Sequence, residues 1–130
     1  MMNEKTAAKV LNAVSQAIFD KKGMNILALD LRSCRLIPQY AIIAEGAADR
    51  HVIAISTSVK EVMRDLGFEP MYTQGMQVGD WIVLDYTDIV VHIFMPGMRD
   101  KYRLENLWKD SDIVDLSIDV FHKNSIAGAS

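Results

Sequence analysis

One cysteine, Cys34, stands among 130 residues. That excludes an internal disulfide and suits a reducing compartment, so the cytoplasm is the expected location. Proline is scarce at three residues and tryptophan scarcer at two, so the placement of either carries information. No apolar run approaches the roughly 20 residues that a membrane-spanning helix needs. The opening Met-Met-Asn-Glu-Lys-Thr lacks the basic-then-apolar layout of a secretion signal. Positive charge is also in short supply: 14 Lys and Arg against 17 Asp and Glu, a net charge of −3. The basic residues are dispersed, and the densest pair, Lys21-Lys22, falls where a helix should end. A protein that grips nucleic acid through its phosphates needs a concentrated basic surface, so direct RNA or DNA binding is not expected. An acidic chain can still act on a nucleoprotein particle by docking on its protein component.

Motifs that carry chemistry are missing too. The three histidines, His51, His92 and His122, lie far apart, and none pairs with a cysteine or carboxylate at metal-ligand spacing. His51 opens a helix and His92 sits mid-strand, positions where a structural histidine is the usual finding. There is no Walker loop and no Gly-x-Gly-x-x-Gly; Gly75 and Gly79 frame Met-Gln-Val, which suits a turn. Asp110 and Asp112 form an Asp-x-Asp, but in a polar stretch that reads as a solvated turn, and Asp85 has no carboxylate two positions away. Two-metal phosphoryl transfer needs carboxylates converging from a rigid strand. The residues therefore suggest no metal, no cofactor and no enzyme.

What is present is an ordinary globular composition, half hydrophobic and a quarter charged, sized for one domain. Residues 3–22 carry Ala7, Val10, Leu11, Val14, Ile18 and Phe19 at helical spacing, with Gly23 as the expected left-handed cap. Residues 24–31 read as a strand, 32–35 as a turn, and 40–44 as a strand delayed by Pro38. After a small-residue loop, Asp49 is the expected N-cap of a second helix striped by Val52, Ile55, Val59, Val62, Met63 and Leu66 and closed by Gly67. A short strand follows Pro70, then the strands of a hairpin, stopped at Pro96-Gly97. Residues 99–109 read as a third helix with Leu104, Leu107 and Trp108 on one side. Leu116, Ile118 and Val120 then alternate with polar residues as an added strand would, and 124–130 read as a mobile end. The order α-β-β-α-β-β-β-α implies one α/β domain of the α+β type, a mixed sheet packed by helices, over residues 1–110, with 111–130 as an extension.

The most informative stretch is Gly79 to Met95, two strands folded back on each other. With Thr87-Asp88 as a two-residue loop, Tyr86 faces Ile89, Leu84 faces Val91 and Ile82 faces Ile93, an apolar side that belongs against a core. The other side sets Trp81 by Phe94, Val83 by His92, and Asp85 by Val90. Such a mixed face is either covered by a helix, here through Leu107 or Trp108, or used for binding. Burying one Trp removes about 150–250 Å² from water, and an aromatic beside charge is the usual composition of an interface hot spot. Periodicity leaves both readings open.

At these residues the chain resembles the ribosomal silencing factor family, also called Iojap-like proteins. The likeness runs from the first helix to about Trp108. It is carried by Asp80-Trp81-Ile82-Val83-Leu84-Asp85-Tyr86, by Asp88-Ile89-Val90-Val91-His92-Ile93-Phe94, and by Arg99 with Tyr102-x-Leu104-Glu105-x-Leu107-Trp108. Ala28-Leu29-Asp30-Leu31 and Arg50-His51-Val52 add to it. The chain departs from the family pattern at Pro38-Gln39, at Glu45-Gly46-Ala47-Ala48 and at Gln74. The resemblance implies a fold similar to nucleotidyltransferases without their catalytic apparatus. It implies binding to the large ribosomal subunit on the protein named L-fourteen, a block on small-subunit joining when nutrients are scarce, and a homodimer when free. Trp81, Leu84, Asp85, Tyr86, Asp88, Arg99, Tyr102 and Glu105 are then the expected partner-binding residues. The rival from another class is a nucleotidyltransferase or other nucleotide-binding enzyme; its Gly-Ser phosphate loop and strand Asp-x-Asp do not appear.

Overall fold

The computed structural model describes residues 2–34, 38–99 and 111–120. The first helix, α1, spans Glu4–Asp20, and its capping Asn3 side chain accepts the Thr6 N–H at 2.7 Å. Its Ala7, Val10, Leu11, Val14 and Ile18 are fully buried. The helix ends with Gly23 N–H donating to the Ile18 carbonyl and Lys22 N–H to that of Phe19. The left-handed residue of this cap is Lys22, at φ +64°, not Gly23 as the sequence suggests. Gly23 answers to space instead, since a Cβ there would stand 2.3 Å from Ile18 Cγ2.

Strand β1 (Met24–Asp30) leads through a short 3-10 turn at Arg32–Cys34 and then to β2 (Tyr40–Glu45). The second helix, α2, spans Asp49–Asp65 and buries Val52, Ile55, Val59 and Met63. Ala48, not Asp49, occupies its N-cap, without a side-chain bond. Asp49 is the first helical residue, and its carboxylate accepts the Arg50 N–H, a placement the helix dipole favours. The exposed N-terminal turn is secured by His51 instead, whose Nδ1 accepts the Ala47 N–H while Nε2 bonds the Lys21 carbonyl.

Strands β3 (Tyr72–Gln74), β4 (Trp81–Asp85), β5 (Ile89–Phe94) and β6 (Asp112–Ile113) complete one mixed sheet in the order β3-β4-β5-β2-β1-β6. β2 and β5 run parallel; every other neighbouring pair is antiparallel. The hairpin register is the expected one: Trp81 opposite Phe94, Ile82 opposite Ile93, Val83 opposite His92, Leu84 opposite Val91 and Asp85 opposite Val90. Thr87 turns the loop at φ +72°, an unusual value for a β-branched residue. Asp85 Oδ1 holds that turn by accepting the Thr87 N–H at 2.8 Å.

Strand alternation divides the sheet into two faces. Tyr40, Ile42, Ala44, Ile82, Leu84, Tyr86, Ile89, Val91 and Ile93 join α1 and α2 in one core. Leu29, Leu31, Ala41, Ile43, Val90 and Phe94 form a second apolar cluster on the other side, with Leu27, Trp81, Val83 and Met98 packed against it. The expected third helix, with Leu104, Leu107 and Trp108, lies outside the described residues apart from Arg99, and so does the expected mobile end at 124–130. No helix among the described residues is long and apolar enough to cross a membrane.

The tail departs from expectation. The added strand is the two-residue β6, not the stretch from Leu116 to Val120. Residues 114–119 do alternate between partly buried and exposed, which is the pattern read in the sequence, but they are not in a strand. Helix side chains take the backbone groups that a neighbouring strand would otherwise pair: Ser117 N–H bonds Asn12 Oδ1, and Asp119 N–H bonds Gln16 Oε1.

Candidate docking face

Trp81 opens β4 on the face turned away from α1 and α2. Its indole stacks on Phe94 with ring centroids 5.1 Å apart, and its Nε1–H donates to His92 Nδ1 at 3.1 Å. His92 lies parallel to Phe94 at 6.1 Å. The cross-strand pairing of Trp81 with Phe94 and of Val83 with His92 sets these three rings side by side. Burial holds the His92 imidazole down to about 4, against the opposite pull of the Asp85 carboxylate. At neutral pH the ring is therefore uncharged, and Nδ1 is free of a proton to accept the indole bond.

Phe94 is closed to solvent and His92 nearly so, while Trp81 stays partly exposed at the edge of this cluster. Beside it is a cleft of about 240 Å³ lined by Gln74, Gly75, Asp80, Trp81, Val83 and Met98. Gly75 makes the narrow end possible. At φ +89° it takes a conformation that suits glycine, and a Cβ there would lie 2.1 Å from the Trp81 carbonyl oxygen. The face continues onto edge strand β3, because Tyr72 pairs with Asp85 and Gln74 with Val83. Tyr72 is 55% exposed, and Met71 and Val78 close by are 78% and 65% exposed. Of the three, Tyr72 lies in the strand register on this face, while Met71 precedes β3 and Val78 lies in the loop between β3 and β4.

The residues expected at a partner surface separate sharply. Trp81 and Asp85 are partly exposed on this face. Leu84 and Tyr86 are on the opposite face, Leu84 fully buried and Tyr86 6% exposed, because alternation turns them toward the helices. Both are core positions in this structure. Burial pushes the Tyr86 hydroxyl up to about 12, and it has no hydrogen-bond partner among the described residues. Asp88 is partly buried at the hairpin turn, where its Oδ2 accepts the Met2 N–H at 3.1 Å and its carbonyl accepts from Gln39 and Tyr40. Arg99 is engaged in the fold: its Nη1 donates to Glu45 Oε2 at 3.0 Å and to the Asn25 carbonyl at 2.6 Å, with only 11% of the side chain exposed. Both side chains hold segments of the fold together. Tyr102 and Glu105 lie outside the described residues.

Sequence reading missed Tyr72, Gln74, Asp80 and Met98. For Tyr72 and Gln74 the signal is the β3 register, and a three-residue strand is too short to show a period. Among the described residues no three His, Cys, Asp or Glu side chains gather as a metal site would require.

Comparison with known proteins bears on the chain as a whole. A family model described as ribosomal silencing factor during starvation matches residues 4–129. A Bacillus subtilis protein named ribosomal silencing factor RsfS is 35% identical over 115 residues, covering 88% of this chain and 95% of that one. A protein of the same name from Halalkalibacterium halodurans is 33% identical over 116 residues, covering 89% and 96%. A crystal structure of a Chromobacterium violaceum protein superposes with a TM-score of 0.77 at 27% identity, covering 93% of this chain and 98% of that one.

Proposed function

The chain belongs to the ribosomal silencing factor family, and on that premise we propose that it binds the large ribosomal subunit through protein L-fourteen. Occupying that surface blocks joining of the small subunit and so represses translation when nutrients are scarce. The protein acts in the cytoplasm, forms a homodimer when free, and carries out no chemical step.

One observation supports this reading above the others. Trp81 is a partly exposed aromatic whose rotamer is fixed from behind by Phe94 and His92, with a carboxylate, Asp85, on the same face. An anchor already held in place loses little conformational freedom on docking, and an aromatic with adjacent charge is typical of hot spots. Asp85, with Asp80 at the cleft, suits the Lys- and Arg-rich surfaces of ribosomal proteins. A net charge of −3 disfavours stray contact with ribosomal RNA. Silencing then follows from mass action: a competitor at about 100 times its dissociation constant offsets roughly 2.7 kcal/mol of subunit association.

Cosedimentation with isolated subunits tests the reading. The protein should travel with the large subunit and not with the small one. Equal recovery with both, or with neither, contradicts it. A thermal shift with magnesium and nucleoside triphosphates would instead support the nucleotidyltransferase reading.

A further inference from the structure

The segment 111–120 is attached far from the Trp81 cleft, at the opposite edge of the sheet. β6 meets β1 at Leu29 and Asp30 only, and Val114 N–H donates to the Ala28 carbonyl at 2.9 Å. The chain then leaves the sheet and runs along α1. Ser117 N–H donates to Asn12 Oδ1 at 2.8 Å and Asp119 N–H to Gln16 Oε1 at 2.7 Å, while Gln16 Nε2 returns a bond to the Asp119 carbonyl at 3.1 Å. Val114 and Leu116 pack against the core, and Asp115 and Ser117 are exposed.

Two repeats coincide here. Asn12 and Gln16 are about 6 Å apart along the helix axis, and Ser117 and Asp119 are about 6.6 Å apart in an extended chain. Two side-chain amides on a helix can therefore meet alternate backbone groups as a neighbouring strand would. Gln16 both accepts from and donates to the backbone of one residue, as a strand partner does. None of these three bonds reads the identity of a side chain; selection is left to the inward positions, Val114 and Leu116. A strand edge open to pairing is itself a template for a further strand. The attachment is small and lies at the surface, as in segments that open locally without global unfolding.

We propose that residues 111–120 are a releasable strap. The surface beneath it, the outer edge of β1 together with the Asn12–Gln16 amide pair, is a binding site for an extended protein segment with apolar residues at alternating positions. In this structure the chain's own strap is the occupant. The inference is independent of ribosome binding and stands or falls separately.

Hydrogen exchange and peptide binding on the full chain test it. In an Asn12→Ala/Gln16→Ala variant, whose changes lie outside the core, the Ser117 and Asp119 amides should exchange about tenfold faster or more, with β2 and β5 amides unaltered. A labelled peptide of residues 111–120 should bind a Leu116→Ser chain, in which the strap is weakened, about tenfold more tightly than the original chain, where the strap competes. Adding Asn12→Ala/Gln16→Ala should abolish that gain. The proposal is overturned if strap amides exchange only with the global unfolding of the domain. It is also overturned if the peptide fails to distinguish the three proteins.

Discussion

The two faces of the sheet are closed in different ways. The buried strand residues of the face under α1 and α2 are aliphatic apart from Tyr40 and Tyr86, with Asp30 and Thr73 polar and only partly buried at its margins. The Trp81 face is graded. Ala41, Ile43 and Phe94 are closed at its centre, Trp81 and Val83 are partly exposed, and Tyr72 at one margin and Ile113 at the other are open. It also carries a buried polar side chain, His92, with Asp85 partly exposed and Gln74 exposed beside it. On the proposed function, one face serves stability and the other divides its residues between stability and recognition.

Paired substitutions should break that comparison or sharpen it. The largest effect is expected at Leu84. Leu84→Ala removes a fully buried side chain and should cost about 2–5 kcal/mol of stability in denaturant unfolding, leaving the affinity of the folded fraction for large subunits unaltered. Trp81→Ala, on the face turned away from α1 and α2, should give the reverse balance. Large-subunit binding should weaken by about 2 kcal/mol or more, read by cosedimentation. Recovery of the folded variant at the original level would place Trp81 wholly with the core.

The next effect concerns pH. The folded-state value of His92, about 4, is below the ordinary value of about 6.5, so between those limits the unfolded chain binds more protons. Its contribution is complete above about pH 6.5 and is lost as pH falls to about 4, approaching roughly 3 kcal/mol. His92→Asn should remove that slope from a stability profile, and an unchanged slope would mean that other groups carry it. Gly75→Ala should cost about 1–3 kcal/mol, because it forces a side chain into a left-handed position against the Trp81 carbonyl. The smallest change is expected from Asp85→Lys, which should slow association with large subunits and alter its salt dependence. Identical rates across salt concentrations would remove charge complementarity from the account.

Most of the fold was legible because its periods are long or its pairings unambiguous. Both described helices carry apolar residues over 17 positions each, and the register of β4 with β5 follows from a two-residue loop with alternating faces. The caps were harder to read. Glycine at the end of α1 looks like a left-handed residue from composition, yet tight packing on Ile18 is what requires it, and Lys22 makes the turn. At the tail the alternation of 114–119 was visible, but its hydrogen-bond partners belong to Asn12 and Gln16, more than 100 positions away in the chain. The candidate site was half legible. Trp81 and Asp85 follow from the strand pattern, whereas the engagement of Asp88 with Met2 and of Arg99 with Glu45 depends on contacts between distant segments. Motif membership placed all four together, and only their geometry separates the exposed from the committed.

Covering a surface on a large ribosomal subunit is the proposed action of this domain, and a subunit-joining assay with purified components tests it most directly. Saturating protein added to large subunits before small ones should reduce the fraction of joined particles, while the Trp81→Ala variant at equal concentration should restore it. Undiminished joining in the presence of saturating, folded protein would contradict the account.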